Sequence, residues 1–206
     1  MLKQAYSNLK FLTLGRSSIY NQTIKKHTLD EVNKDLFGRG DLTVNLLGKA
    51  KEKVIEAEIY SKAEGVLAGM SELKWFLKKQ KIIVLENKKD GDRIAKGDIV
   101  IKMKGKAKNI LKTERVGLNL LQRMSGIATL TQENVRKIRQ EILLAGTRKT
   151  LWGLLDKKAI VVGGGAAHRL GLWHAILIKE NHLNLLPAEQ ILEKAWYAEK
   201  RGAFLE

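Results

Sequence analysis

The residues best suited to chemistry in this chain fall within one stretch, residues 147–182. There Arg148, Lys149, His168, Arg169 and Lys179 each stand at or near the end of an apolar, β-like run. Open α/β sheets and barrels place their binding groups at such strand ends. Cationic and proton-carrying side chains converging there make a site for a polyanion, because Arg offers a planar fork to carboxylate or phosphate and Lys a point charge. Taken singly, a cation after a strand is more often a surface residue than a ligand. The flanking Thr147 and Thr150 and the later His168-Arg169 pair reverse that reading. The triplet Gly163-Gly164-Gly165 reads as a structural turn, since neither a Walker loop nor a dinucleotide fingerprint surrounds it. His27, His174 and His182 lack metal-ligand spacing, and His182 is expected to support a strand end. Trp152, Trp173 and Trp196 are expected to pack rather than to stack on bases.

Two regimes of pattern must position these groups. In the first, Thr28 and Glu31 fit a capping box, which predicts a short helix before the turn Gly38-Arg39-Gly40-Asp41. Residues 53–59 show the period of two of a half-buried strand, with Ile55, Ala57 and Ile59 on one face. Ser71 can cap a helix whose Leu73, Phe76 and Leu77 face inward. An apolar strand at 82–85 follows, then turn chemistry at Asp90-Gly91-Asp92 and Lys96-Gly97-Asp98, then a strand marked by Ile99, Ile101 and Met103. Residues 1–112 thus read as an α+β domain around an antiparallel sheet.

From Thr113 the spacing changes. Val116, Leu120, Met124, Ile127 and Ala128 recur every three or four residues, predicting a long amphipathic helix from about Glu114 toward Arg139. Buried-strand candidates follow at 142–147, 159–162 and 175–178, separated by crossover segments, and a last helix starts after Pro187. Residues 113–206 therefore read as a linking helix and the first part of an open βα barrel, and the fold class as α/β.

Composition narrows the partners. The chain has 206 residues, 44% of them hydrophobic, and no cysteine, so it is expected to fold without disulfides or thiolate metal sites, in a reducing, cytoplasmic compartment. No run approaches the roughly 18 apolar residues of a membrane span, and the first ten residues lack the pattern of a secretory leader. A formal charge of +16 raises nucleic acid as a partner, but aromatic residues are only 6% of the chain and no continuous basic stripe or zinc-finger spacing is present. Lysine pairs such as Lys78-Lys79, Lys88-Lys89 and Lys157-Lys158 are read instead as solvated surface, with no nucleic-acid partner expected.

Six collinear segments carry a family resemblance. They are Gly40-Asp41-Leu42-Thr43; Ala63-Glu64-Gly65-Val66-Leu67-Ala68-Gly69; Glu114-Arg115 with Leu121-Gln122-Arg123-Met124-Ser125-Gly126-Ile127-Ala128-Thr129; Thr147-Arg148-Lys149-Thr150; Gly163-Gly164-Gly165 before His168-Arg169-Leu170-Gly171-Leu172; and Ile178-Lys179-Glu180-Asn181-His182. In this order they resemble quinolinate phosphoribosyltransferase, also called carboxylating nicotinate-nucleotide pyrophosphorylase, from about residue 28 onward. The resemblance implies an amino-terminal α/β sandwich followed by an open βα barrel. It implies transfer of phosphoribose from phosphoribosyl pyrophosphate to quinolinate, with Mg²⁺, giving nicotinate mononucleotide, pyrophosphate and carbon dioxide.

Carried over residue by residue, Arg148, His168 and Arg169 match quinolinate-binding positions, with His168 expected to hydrogen-bond a carboxylate rather than to move a proton. Lys149 and Lys179 match catalytic lysines on the phosphoribosyl pyrophosphate side, where they could neutralise the leaving pyrophosphate. Arg115 matches an arginine that a neighbouring subunit inserts into the site, so a homodimer is implied. No protein metal ligand is expected up to Glu206, because the family's Mg²⁺-holding carboxylates come later. On that basis this chain alone is expected to show little or no turnover.

The sequence departs from the family in places. Trp152 stands where proline is usual, the stretch from there to Ala159 is about two residues short, and His174, Glu180 and Val44 replace two aspartates and a threonine. Two other functions remain open at this point: a phosphoribosyltransferase-like protein of molybdenum-transport operons, and a non-catalytic remnant or partner subunit. The Lys179-Glu180-Asn181-His182 ending and the Leu121-Gln122-Arg123-Met124 helix favour the quinolinate enzyme.

Overall fold

The structure is a computed structural model that describes residues 11–139, 141–199 and 204–205. Residues 1–10, where a leader was looked for, and Glu206 lie outside it. Helices α1 (Ser18–His27), α2 (Leu29–Leu36) and α3 (Leu42–Leu46) and a 3₁₀ turn (Gly48–Glu52) lead into strand β1 (Val54–Tyr60). Then come β2 (Gly65–Val66), α4 (Met70–Lys79), β3 (Ile83–Asn87), β4 (Arg93–Ile94), β5 (Ile99–Lys106) and the long α5 (Ala107–Lys137). The remainder is α6 (Leu154–Val162), β6 (Ala175–Ile176), α7 (Glu180–Leu183), α8 (Ala188–Glu199) and β7 (Phe204–Leu205).

The expected antiparallel sheet is present, in the order β1-β5-β3. Its inner face carries Ile59 opposite Ile101 and Ala57 opposite Met103, over the buried side of α4 with Leu73, Phe76 and Leu77. Its outer face is a ladder of opposite charges, with Lys104 Nζ 2.9 Å from Glu56 and Lys102 Nζ 3.4 Å from Glu58. Cross-strand ion pairs of this kind support a solvated face.

Helix α5 starts seven residues before the expected Glu114, at Ala107, and is continuous through residues 112 and 113. Leu120, Met124 and Ala128 are fully buried along its seam. Two caps differ from expectation. The Thr28 hydroxyl bonds back to the Ile24 carbonyl, 2.7 Å away, so it closes α1 rather than capping α2. Ser71 lies inside α4, and the helix end is capped from a distant turn, where Asp90 Oδ1 accepts the Met70 N–H at 2.7 Å. Local spacing detects that a helix begins, but a side chain from elsewhere can supply the cap.

The second half is parallel, as expected, and open. Ala145 and Ala166 form a parallel bridge, with Gly146 N–H on the Ala166 carbonyl at 2.9 Å and Ala166 N–H on the Leu144 carbonyl at 2.8 Å. β6 and β7 pair in parallel. One expected strand is wrong: residues 159–162 are the end of α6. A four-residue apolar run fits either a buried strand or a buried helix, and here Leu155, Ala159 and Val162 carry the helical spacing. The candidate at 142–147 contributes only the bridge at Ala145, and that at 175–178 only Ala175–Ile176. The glycine triplet packs against α5: a Cβ on Gly163 would collide with the Ala128 carbonyl oxygen and come within 2.7 Å of Thr131 Cβ. No helix among the described residues is long and apolar enough to cross a membrane.

Candidate functional site

The parallel bridge between Ala145 and Ala166 fixes the direction in which the cationic residues emerge. Residues that follow the two bridge positions leave the pair at the same end, so Arg148 and Lys149 on one segment and His168 and Arg169 on the other share that end. Lys179 follows β6 and is the first, capping residue of α7. Its backbone N–H donates to Nδ1 of His182 at 2.9 Å, so His182 supports the strand end, as expected. His168 has φ of 54°, in the left-handed region that costs a non-glycine residue about 1 kcal/mol or more.

Arg148, Lys149 and Lys179 are exposed and Arg169 is half-buried, and none of the four has an ion-pair partner among the described residues. Arg115 is likewise unpaired and exposed on α5. It opens onto a cleft of about 320 Å³ shared with Glu31, Asp35, Leu151 and Trp152. Cations left without carboxylate partners on strand ends are available to an anionic ligand.

Three cations that the fold draws inward, Arg123, Lys157 and Lys158, are engaged, and here sequence reasoning missed the organising element. Asp156, Lys157 and Lys158 are consecutive on α6, and each reaches a different part of the molecule. Asp156 accepts two hydrogen bonds from Arg123 of α5, both at 2.7 Å, and a third from the Trp152 N–H at 3.1 Å. Lys157 is 1% exposed and donates Nζ to the Ala167 carbonyl. Lys158 Nζ lies 2.5 Å from Glu72 Oε1 and 3.6 Å from Asp90. The expectation that Lys157 and Lys158 form an exposed pair is therefore corrected. A polar run inside a helix reads as a solvated face only while its partners on other elements are unknown.

Trp152 has two ring contacts. The His27 ring stacks on it at 4.8 Å, and the Arg123 guanidinium lies 5.2 Å from its centroid. It therefore packs, as expected. Burial, reinforced by the Lys26 charge, holds the His27 pKa below its ordinary 6.5, although Glu31 and Asp156 oppose the shift. Because the folded pKa is depressed, the unfolded chain binds more protons between the folded value and about 6.5. Stability is expected to rise with pH through that window and to fall as pH drops below about 6.5. Urea unfolding at several pH values, with a His27→Gln variant as the control that flattens the profile, checks this.

No three His, Asp or Glu side chains among the described residues are grouped so as to hold a metal ion. The described residues thus offer no protein-held Mg²⁺ site.

Two family models match the chain. Residues 41–125 match the model of the quinolinate phosphoribosyl transferase N-terminal domain, and residues 127–201 that of the C-terminal domain. A relative from Archaeoglobus fulgidus named a probable carboxylating nicotinate-nucleotide pyrophosphorylase is 45% identical over 136 residues, covering 64% of this chain and 53% of the relative. One of the same name from Bacillus subtilis is 45% identical over 152 residues, covering 71% and 52%. Among solved structures, NadC from Streptococcus pyogenes superposes with a TM-score of 0.78 at 29% identity, covering 90% of this chain and 66% of that one. The nicotinate-nucleotide pyrophosphorylase from Francisella tularensis gives 0.72 at 31% identity, covering 80% and 59%. The chain thus spans about half the length of the curated relatives it matches.

Proposed function

Because the chain belongs to the quinolinate phosphoribosyl transferase family, we propose that its strand-end cations bind quinolinate and phosphoribosyl pyrophosphate for decarboxylating phosphoribosyl transfer in NAD biosynthesis. The observation that carries this reading is the set of cations without ion-pair partners among the described residues, Arg148, Lys149 and Arg169, at one end of a parallel strand pair, while Arg123, Lys157 and Lys158 are engaged. Quinolinate is a dicarboxylate and its co-substrate carries phosphate and pyrophosphate, so both ligands call for such groups.

In this reading Arg148, His168 and Arg169 hold the quinolinate carboxylates. The ring nitrogen lone pair forms a bond to the ribose C1, and the C1–O bond to pyrophosphate breaks with its electron pair leaving on oxygen. Lys149 and Lys179 neutralise that departing charge. The nitrogen, now positive, stabilises the electron pair left on the adjacent ring carbon when its carboxylate departs as carbon dioxide, and that carbon takes a proton from solvent. The protein supplies position and charge. Arg115, exposed on α5, serves the site of a second copy in a cytoplasmic homodimer.

The names of the matched relatives favour quinolinate over the molybdenum-associated alternative. Calorimetric titration of the chain with quinolinate tests the proposal. Micromolar binding is expected, weakened at least about tenfold, or 1.4 kcal/mol, in Arg169→Ala. A folded protein that does not bind quinolinate would leave the non-catalytic reading in its place.

A further inference from the structure

We propose that Lys157 is a positioning residue, whose buried ammonium sets the conformation of the His168-Arg169 segment while its neighbour Asp156 sets that of the Arg148-Lys149 loop. This rests on the quinolinate reading only for the identity of the ligand. The geometry stands apart from it.

Lys157 and Asp156 are adjacent on the first turns of α6 and are 1% and 3% exposed. Lys157 donates to the carbonyl of Ala167, the residue immediately before His168. That carbonyl belongs to the peptide plane whose other side begins His168, so fixing it restrains the left-handed φ of 54° at His168. Ala167 is fully buried and Ala166 carries the parallel bridge, so the segment is held at the bridge and again at the Lys157 ammonium just before it surfaces. On the other side, Asp156 accepts the Trp152 N–H and grips Arg123, which in turn covers the Trp152 ring. Among the described residues, the loop between Thr147 and Gly153 otherwise has only short local hydrogen bonds, such as Lys149 N–H to Thr147 Oγ1 at 3.1 Å. One short piece of α6 therefore ties down both cationic segments and sets their separation.

The test uses the whole chain as Lys157→Met and Lys157→Gln variants, with two readouts. The first is the pair of imidazole nitrogen resonances of His168, assigned with a His168→Gln variant. Lys157→Met is expected to shift them while those of His27 and His182 stay in place, and Lys157→Gln, which keeps a donor, is expected to restore them in part. The second is quinolinate affinity by calorimetry, expected to fall between about tenfold and a hundredfold in Lys157→Met with the melting temperature retained. Unmoved His168 resonances, or quinolinate affinity equal to that of the unmodified chain, overturn the proposal. Should the unmodified chain not bind quinolinate while the His168 resonances still move, the positioning role stands and the substrate assignment falls.

Discussion

Lys158→Met is expected to destabilise the chain by about 3–5 kcal/mol, the range for removing one partner of a buried ion pair. Glu72 on α4 is 0% exposed. Its Oε1 accepts the Tyr20 hydroxyl at 2.9 Å and the Lys158 ammonium at 2.5 Å, and its Oε2 has no hydrogen-bond partner among the described residues. Without the lysine, a carboxylate stays buried with one hydrogen bond. Asp90, which caps α4 through Met70 and the Ser71 hydroxyl, also loses its nearby cation. The Tyr20 phenol keeps its proton and stays a donor to Glu72, because burial and the Glu72 charge push its pKa well above 10. Adding Glu72→Met to Lys158→Met removes the orphaned charge and is expected to recover most of the loss. Urea unfolding of the four-member cycle decides it. A Lys158→Met chain within about 1 kcal/mol of the parent would show that water reaches Glu72 and that the pair is not buried in solution.

Arg123→Leu is expected to cost about 3 kcal/mol, for the same reason applied at a different junction. Here the side chain of Asp156 is 4% exposed and that of Arg123 28%, so the carboxylate is the group that would be stranded. The fork geometry matters as much as the charge, because Nε and Nη2 each take one carboxylate oxygen at 2.7 Å. Arg123→Lys keeps a cation but not the fork, and is expected to lose about 1.5 kcal/mol or more. Trp152 would also lose one of its two ring contacts, loosening the loop that carries Arg148 and Lys149. A double-mutant cycle with Asp156→Asn isolates the pair, with a coupling above about 1 kcal/mol expected. A coupling below about 0.5 kcal/mol would mean that the bidentate geometry contributes little in solution.

The antiparallel half was legible because its signals are short in range. Ile55, Ala57 and Ile59 alternate, Gly91 and Gly97 supply positive φ at 93° and 92°, and Asp92 and Asp98 close the two turns through bonds to Lys89 and Ala95. The start of α8 after Pro187 was legible for the same reason. The barrel half was less so. Its strands shrink to two-residue pairings and single bridges made of Ala145, Ala166 and Ala175, residues too small and too few to print a period. The more strongly apolar run at 159–162 drew the strand assignment and proved helical.

The site divides along the same line. The chemical types of its candidate site residues, their order and the family they resemble are properties of the chain alone, since a cation keeps its charge whatever its neighbours. Which cations remain free is not. Arg123, Lys157 and Lys158 look no different from Arg148, Lys149 and Lys179 in the sequence, yet the first three are consumed by Asp156, the Ala167 carbonyl and Glu72. Those partners lie on other elements, far along the chain or across a turn, and only packing α6 between α5 and the amino-terminal helices brings them within hydrogen-bond distance. Residue types determined what this protein could bind. The tertiary structure decided which charges are left to do it, because burying a charge requires a partner and surface charges need none.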